Sequence, residues 1–266
     1  GLVGGQLYLV RLWVLLARRM GAPRLAFAQA VRVFFLAGLG RYVPGKVWPV
    51  AGLAFLAARE GVPPGPATAA AVLGYAISVL AALAVGTLYV WWGPPVGGPW
   101  TRVAAAGVLA TCALLAAPAV LRRLVHALVR LARGTPETAH PRVAREGLRW
   151  LAGYAAAWLA FAAAFLLFWT AFRPLPTGAG GWLAAAAAFP AAYALGVVAV
   201  FAPAGLGVRE GALVALTAPF LGRADAVGLA VLARAWMTAA ELGPLLWVAA
   251  VWRGQKGERR PDPPTR

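Results

Sequence analysis

Residues 40–48 read GRYVPGKVW, and residues 203–211 read PAGLGVREG. Each stretch interrupts an apolar run with proline and glycine, and each places charge at the interruption. The first carries Arg41 and Lys46, the second Arg209 and Glu210. Whether these breaks sit in water or in hydrocarbon decides the fold, and the surrounding composition gives the answer. The chain has 266 residues, 62% of them hydrophobic and only 12% charged, with a mean hydropathy of +0.74. An average soluble domain carries about 25% charged residues. The fold expected is therefore an all-α integral membrane protein, a polytopic helical bundle broken at two internal points.

The formal charge is +17. In a soluble chain that excess would suggest nucleic acid, but here the cations lie mainly between hydrophobic runs. They read as topological marks that attract anionic headgroups on the cytoplasmic side, so no nucleic-acid partner is expected. The single cysteine, Cys112, lies in an apolar run and reads as a small filler, so the chain has no disulfide framework. His126 and His140 fall in a basic loop without ligand partners and read as solvated. No metal or cofactor site is expected. The chain opens at Gly1 in a stretch that is already hydrophobic, which reads as a truncated N-terminus rather than a cleavable signal peptide.

A bilayer crossing takes roughly 17 to 25 residues. Residues 1–17 are a marginal span containing Arg11, while residues 67–92, 103–121, 150–172 and 225–252 are expected spans. Residues 122–149 read as a long basic loop, and residues 253–266 as a basic, disordered tail behind a membrane domain of residues 1–252. Arginine bias puts residues 18–24, 122–149 and the tail in the cytoplasm, and residues 93–102 and 173–181 outside. Trp91, Trp92, Trp100, Trp169 and Trp182 then fall near the outer interface. Residues 25–58 must enter and return, and residues 47–58 make only about 18 Å of helix against a core of about 30 Å. They are expected to form a re-entrant hairpin turning at the first break. Residues 182–221 are expected to form a second one from the opposite side, an inverted arrangement. Parity also permits residues 182–202 to cross fully.

Irregular backbone survives in a bilayer only where it lines a cavity or is buried in protein. Pro44 and Gly45 in the first break, and Pro203, Gly205 and Gly207 in the second, are turn-formers of that kind. Arg234 and Glu241 lie seven apart in the last span, nearly two turns, and so share one helical face. Arg41, Lys46, Arg209, Glu210, Arg234 and Glu241 are accordingly the candidate binding residues, grouped around a phosphate. Tyr75, Ser78 and Tyr193 are weaker candidates for its lining. Against this stand plainer readings: cations that snorkel from helix ends, as Arg11 and Arg32 are expected to do, and a local Arg209–Glu210 pair.

The two breaks carry a family resemblance. They resemble the paired signatures of the lysylphosphatidylglycerol synthase transmembrane region, the flippase-like domain of multiple peptide resistance factor proteins, in its standalone form. Arg41, Pro44, Gly45, Lys46 and Trp48 match the first signature; Pro203, Gly205, Gly207, Arg209, Glu210 and Gly211 match the second. The resemblance implies a bacterial cell-membrane protein with re-entrant helices that binds an anionic phospholipid or polyprenyl-phosphate lipid and moves it between leaflets. The aminoacyl transferase domain of the full synthase is absent, so enzymatic activity is not expected. Two other functions compete. One is a scaffold for a cytoplasmic lipid-modifying enzyme. The other is a lipid-linked glycosyltransferase, disfavoured because Asp occurs only at Asp225 and Asp262.

Overall fold

In hydrocarbon the backbone must satisfy its own hydrogen bonds, and for alanine- and leucine-rich runs the helix does so within one segment. The computed structural model of the chain describes residues 1–23, 25–43, 47–95, 98, 100–131, 143, 145–199, 202 and 205–258. It is all-helical, with 86% helix and no strand among the described residues. The order is α1 (Leu2–Arg19), α2 (Phe27–Gly38), a 3-10 turn (Leu39–Tyr42), α3 (Trp48–Arg59), α4 (Pro64–Gly86) and α5 (Leu88–Trp92). There follow α6 (Trp100–Ala116), α7 (Pro118–Leu131), α8 (Gly147–Thr170), α9 (Gly178–Val198), α10 (Val208–Leu221) and α11 (Arg223–Glu258).

Four helical stretches are long and apolar enough to cross a membrane: Pro64–Trp92, Gly147–Thr170, Gly178–Val198 and Arg223–Leu246. A fifth exists if the bent pair α6–α7 counts as one span. These features identify a multi-pass membrane protein. α1, with three arginines in 18 residues, is not among them. α9 is 21 residues long and meets the crossing criterion unaided, whereas α2 and α3 have 12 residues each and α10 has 14.

Two expectations about the middle of the chain are corrected. Residues 103–121 do not form one straight span: α6 and α7 meet at 66°. Pro118 has no N–H to continue α6, and its ring disfavours helix in the residue before it. Residues 122–131 are helix, not loop. Leu121 and Val125, four apart and each 2% exposed, pack inward with Leu128, while Arg122, Arg123 and Arg130 stay exposed. α11 in turn runs on to Glu258, beyond the boundary expected for the tail. His140 and residues 259–266 lie outside the described residues.

α4 runs through the middle of the bundle and packs on α1, α3, α7, α8 and α9. Small residues let it do so. A Cβ on Gly86 would lie 2.9 Å from Ala191 Cα on α9, a backbone atom with no freedom to retreat. Gly86→Val should therefore destabilise the bundle by about 1–3 kcal/mol through overpacking. Gly107→Ala is the control, since a Cβ there meets nothing within 4 Å. Thermal unfolding of the purified variants in detergent checks both.

An aromatic cluster fills the space between α8, α9, α10 and α11. Phe165 stacks on Phe189 at 5.1 Å between centroids, and Phe168 stacks on Trp236 at 4.8 Å. Tyr89 Oη on α5 donates to Leu216 O on α10 at 2.7 Å. Ion pairs fasten the two ends of the bundle. At one end Arg19 pairs with Glu146 at 3.2 Å, and Arg32 and Gln29 both hold Glu60, tying α2 to α3. Arg32 is thus a paired residue rather than a snorkelling one. At the other end Arg173 donates twice to Asp225, at 2.9 and 3.0 Å, and this hydrogen-bonded carboxylate raises the guanidinium above its ordinary pKa. Large apolar side chains such as Leu167, Leu246 and Phe55 remain exposed on the flanks, as a lipid-facing surface requires.

Candidate functional site

The 3-10 turn at the end of α2 ends the apolar run with Arg41 and Tyr42. Arg41 Nε donates to Gly38 O at 2.9 Å, which fixes the base of the guanidinium, and Nη1 donates to Glu241 Oε1 on α11. Tyr42 Oη donates to the other oxygen of the same carboxylate at 2.9 Å. The tip of the α2–α3 pair is thereby clasped to α11 across 200 residues of sequence.

The second break is built on glycine. Gly205 and Gly207 have φ of +70° and +79°, a region costly to any residue with a Cβ. Gly205 also lies so close to Gly196 that a Cβ on it would be 3.0 Å from the Gly196 Cα. α10 then starts at Val208, and Glu210 Oε2 accepts from Gly207 N at 2.8 Å, closing the helix start. Glu210 Oε1 accepts from Arg234 Nη1 at 3.2 Å. The local Arg209–Glu210 pair does not form, because adjacent helical residues diverge by about 100°.

Arg209 turns instead into the protein and is 8% exposed. It lies in a slot on α9 made by Phe189, Tyr193 and Gly196, residues four and three apart on one helical face. Its guanidinium carbon is 5.1 Å from the Phe189 ring centroid and 5.4 Å from that of Tyr193. A Cβ on Gly196 would come within 2.8 Å of the Arg209 Cβ, so the slot exists only for glycine. Arg209 Nη2 also contacts Met237 Sδ on α11. Among the described residues no carboxylate lies within ion-pair distance of Arg209.

Two adjoining cavities meet at this point. The smaller, of about 80 Å³, is lined by Arg41, Arg209, Arg234, Glu241, Tyr75 and Tyr193 among others. The larger, of about 150 Å³, shares Arg41, Tyr75, Tyr193 and Glu241 with it and extends between α1, α2, α3 and α8. Arg41, Arg209, Arg234 and Glu241 are thus brought to one cavity wall, with Glu210 just behind it on Arg234. Ser78, in the larger cavity, accepts from Trp158 Nε1 at 3.2 Å. Lys46, Pro44, Gly45 and Pro203 lie outside the described residues. Three arginines face two carboxylates, leaving one positive charge among the described residues, and that charge is on Arg209. Among those residues no group of three or more His, Cys, Asp or Glu side chains is placed to hold a metal.

Tyr42, Phe189, Gly196 and Met237 belong to the site and were not singled out from the sequence. The signal for three of them is helical spacing: Phe189 and Gly196 flank Tyr193 at four and three residues, and Met237 lies between Arg234 and Glu241 on their common face. Compared with protein-family models, with curated proteins and with solved structures, the chain matches none.

Proposed function

We propose that this chain is a flippase-like membrane protein that binds the phosphate of an anionic lipid between its two breaks and passes the lipid from one leaflet to the other. The observation that carries this reading is Arg209. A buried guanidinium without a carboxylate partner is costly unless an anion completes it. A phosphate suits its planar fork. Cation–π contact with Phe189 and Tyr193 supports the cation when the site is empty. Glu241 and Glu210 keep Arg41 and Arg234 neutralised, so the anion meets one net charge rather than three. That moderation suits a passage site, which must release what it binds.

The resemblance to the lysylphosphatidylglycerol synthase transmembrane region belongs to the same proposal, as does its re-entrant topology. At 12 residues each, α2 and α3 reach about 18 Å, well short of the roughly 30 Å hydrocarbon core. α10 at 14 residues reaches about 21 Å. The exposed arginines of α7 then face anionic headgroups at the cytoplasmic surface of the cell membrane. A cysteine at Arg123, in a Cys112→Ser background, should be shielded from an impermeant thiol reagent applied outside, while one at Gly98 should react. External labelling at Arg123 would reverse the topology.

The functional test is a reconstituted protection assay run in parallel with a fluorescent phosphatidylglycerol and a fluorescent polyprenyl phosphate. Arg41→Ala and Arg209→Ala should each reduce lipid movement, and Arg11→Ala should leave it unchanged. Equal rates in all three variants would remove the two breaks from the pathway.

A further inference from the structure

The cavity of about 150 Å³ has a makeup unlike the charged compartment it opens into. Leu9, Phe34, Leu53, Trp158, Phe161 and Phe189 are prominent in its wall, beside a minority of polar side chains that includes Gln6, Ser78 and Tyr154 as well as Arg41 and Glu241. An apolar protein cavity of about 150 Å³ holds a benzene-sized molecule, about six carbons. That is far too small for a whole acyl or isoprenoid chain and well matched to the start of one.

We propose that this chamber is a chain subsite: it takes about the first six carbons of a single hydrocarbon chain whose phosphate lies in the Arg209 compartment. The ligand class is then a phosphate ester with an apolar chain leading directly from its head. The chain would be drawn into the protein at its head end, with the remainder running out into lipid. This inference rests on the phosphate reading given above and adds the second half of the ligand. The occupant is argued from continuity: Arg41, Tyr75, Tyr193, Met237 and Glu241 line both compartments, so a molecule reaching one with its charge reaches the other with its chain.

Calorimetric titration of the detergent-purified chain tests it with inorganic phosphate, ethyl phosphate, hexyl phosphate and the neutral probe hexan-1-ol. Burying a methylene is worth about 0.8 kcal/mol, or about fourfold in affinity. Allowing for imperfect fit, hexyl phosphate should bind at least about tenfold tighter than ethyl phosphate. Leu9→Trp and Phe34→Trp fill the chamber from two different helices. Each should bring the hexyl-to-ethyl ratio to about one without changing the affinity for inorganic phosphate, and unfolding temperatures verify that each variant is folded. A ratio near one in the unaltered chain, or a ratio that neither filling variant changes, overturns the chain subsite and leaves the phosphate reading standing. If no phosphate binds but hexan-1-ol does, and both filling variants block it, the chamber survives and the phosphate reading falls. If no probe binds, both are overturned.

Discussion

Replacing Arg209 by methionine is expected to abolish lipid movement while leaving the protein at least as stable as before. The two effects point in opposite directions, and that opposition is the diagnostic. Arg209 is 8% exposed, with no carboxylate in ion-pair range among the described residues. Exchanging buried charge for well-packed apolar volume is commonly neutral or stabilising, by up to about 4 kcal/mol. Methionine fits the slot between Phe189, Tyr193 and Met237 without a charge to satisfy. If a phosphate needs the guanidinium, the protection assay should fall to the rate of empty vesicles. Arg209→Lys should fall in between, because a point charge replaces the two-pronged fork. A methionine variant that moves lipid at the unaltered rate would make Arg209 a structural cation held by aromatic rings.

The second large effect is expected at Glu241. Removing it takes away the carboxylate that holds Arg41 Nη1 and the Tyr42 hydroxyl. Breaking a buried ion pair by deleting one partner costs about 3–5 kcal/mol. The Arg41 side chain is 34% exposed, against 12% for Glu241. Solvent screening therefore lowers the expected cost of Glu241→Ala to about 1–3 kcal/mol. Arg41→Ala combined with Glu241→Ala should recover much of that loss, since no charge is then stranded. The double-mutant cycle should show a coupling of at least about 1 kcal/mol, while Tyr42→Phe alone should cost about 1 kcal/mol. Denaturant unfolding in mixed micelles measures all four. Additive losses would mean that the clasp holds nothing.

The long spans were legible because hydropathy over some twenty residues outweighs every local preference. Residues 67–92 and 150–172 in the sequence reading correspond to Pro64–Trp92 and Gly147–Thr170 in the structure. The stretch around α7 was misread for a physical reason: its arginines were counted as loop charge, although Leu121, Val125 and Leu128 recur at helical spacing beneath them. The break at Ala117 was hidden because a proline inside an apolar run does not alter its hydropathy. At the site, the polar breaks and the Arg234–Glu241 spacing could be read locally. Which cation Glu241 would hold could not. Arg41, Lys46 and Arg209 are indistinguishable as partners in one dimension, and the packing of α2 against α11 is what brings Arg41 to it. The slot for Arg209 was equally invisible, since a glycine at 196 means nothing until α10 folds back over it.

That slot also orders the biogenesis of the protein. α10 has 14 residues and begins with Val208, Arg209 and Glu210, so it leaves the ribosome too short to span and with charge at its leading end. Arg209 is nevertheless buried in the finished fold, where an unsupported cation is costly. Its compensation comes from neighbours on both sides in the chain. α9 supplies aromatic faces for Arg209 before α10 is made, but its neighbour Met237, and Arg234 that pairs with Glu210, are synthesised only afterwards. Half of the surroundings of α10 are therefore in place before it is made, and half only once α11 has emerged. Completion of this slot is therefore expected to follow the synthesis of α11 rather than that of α10 itself.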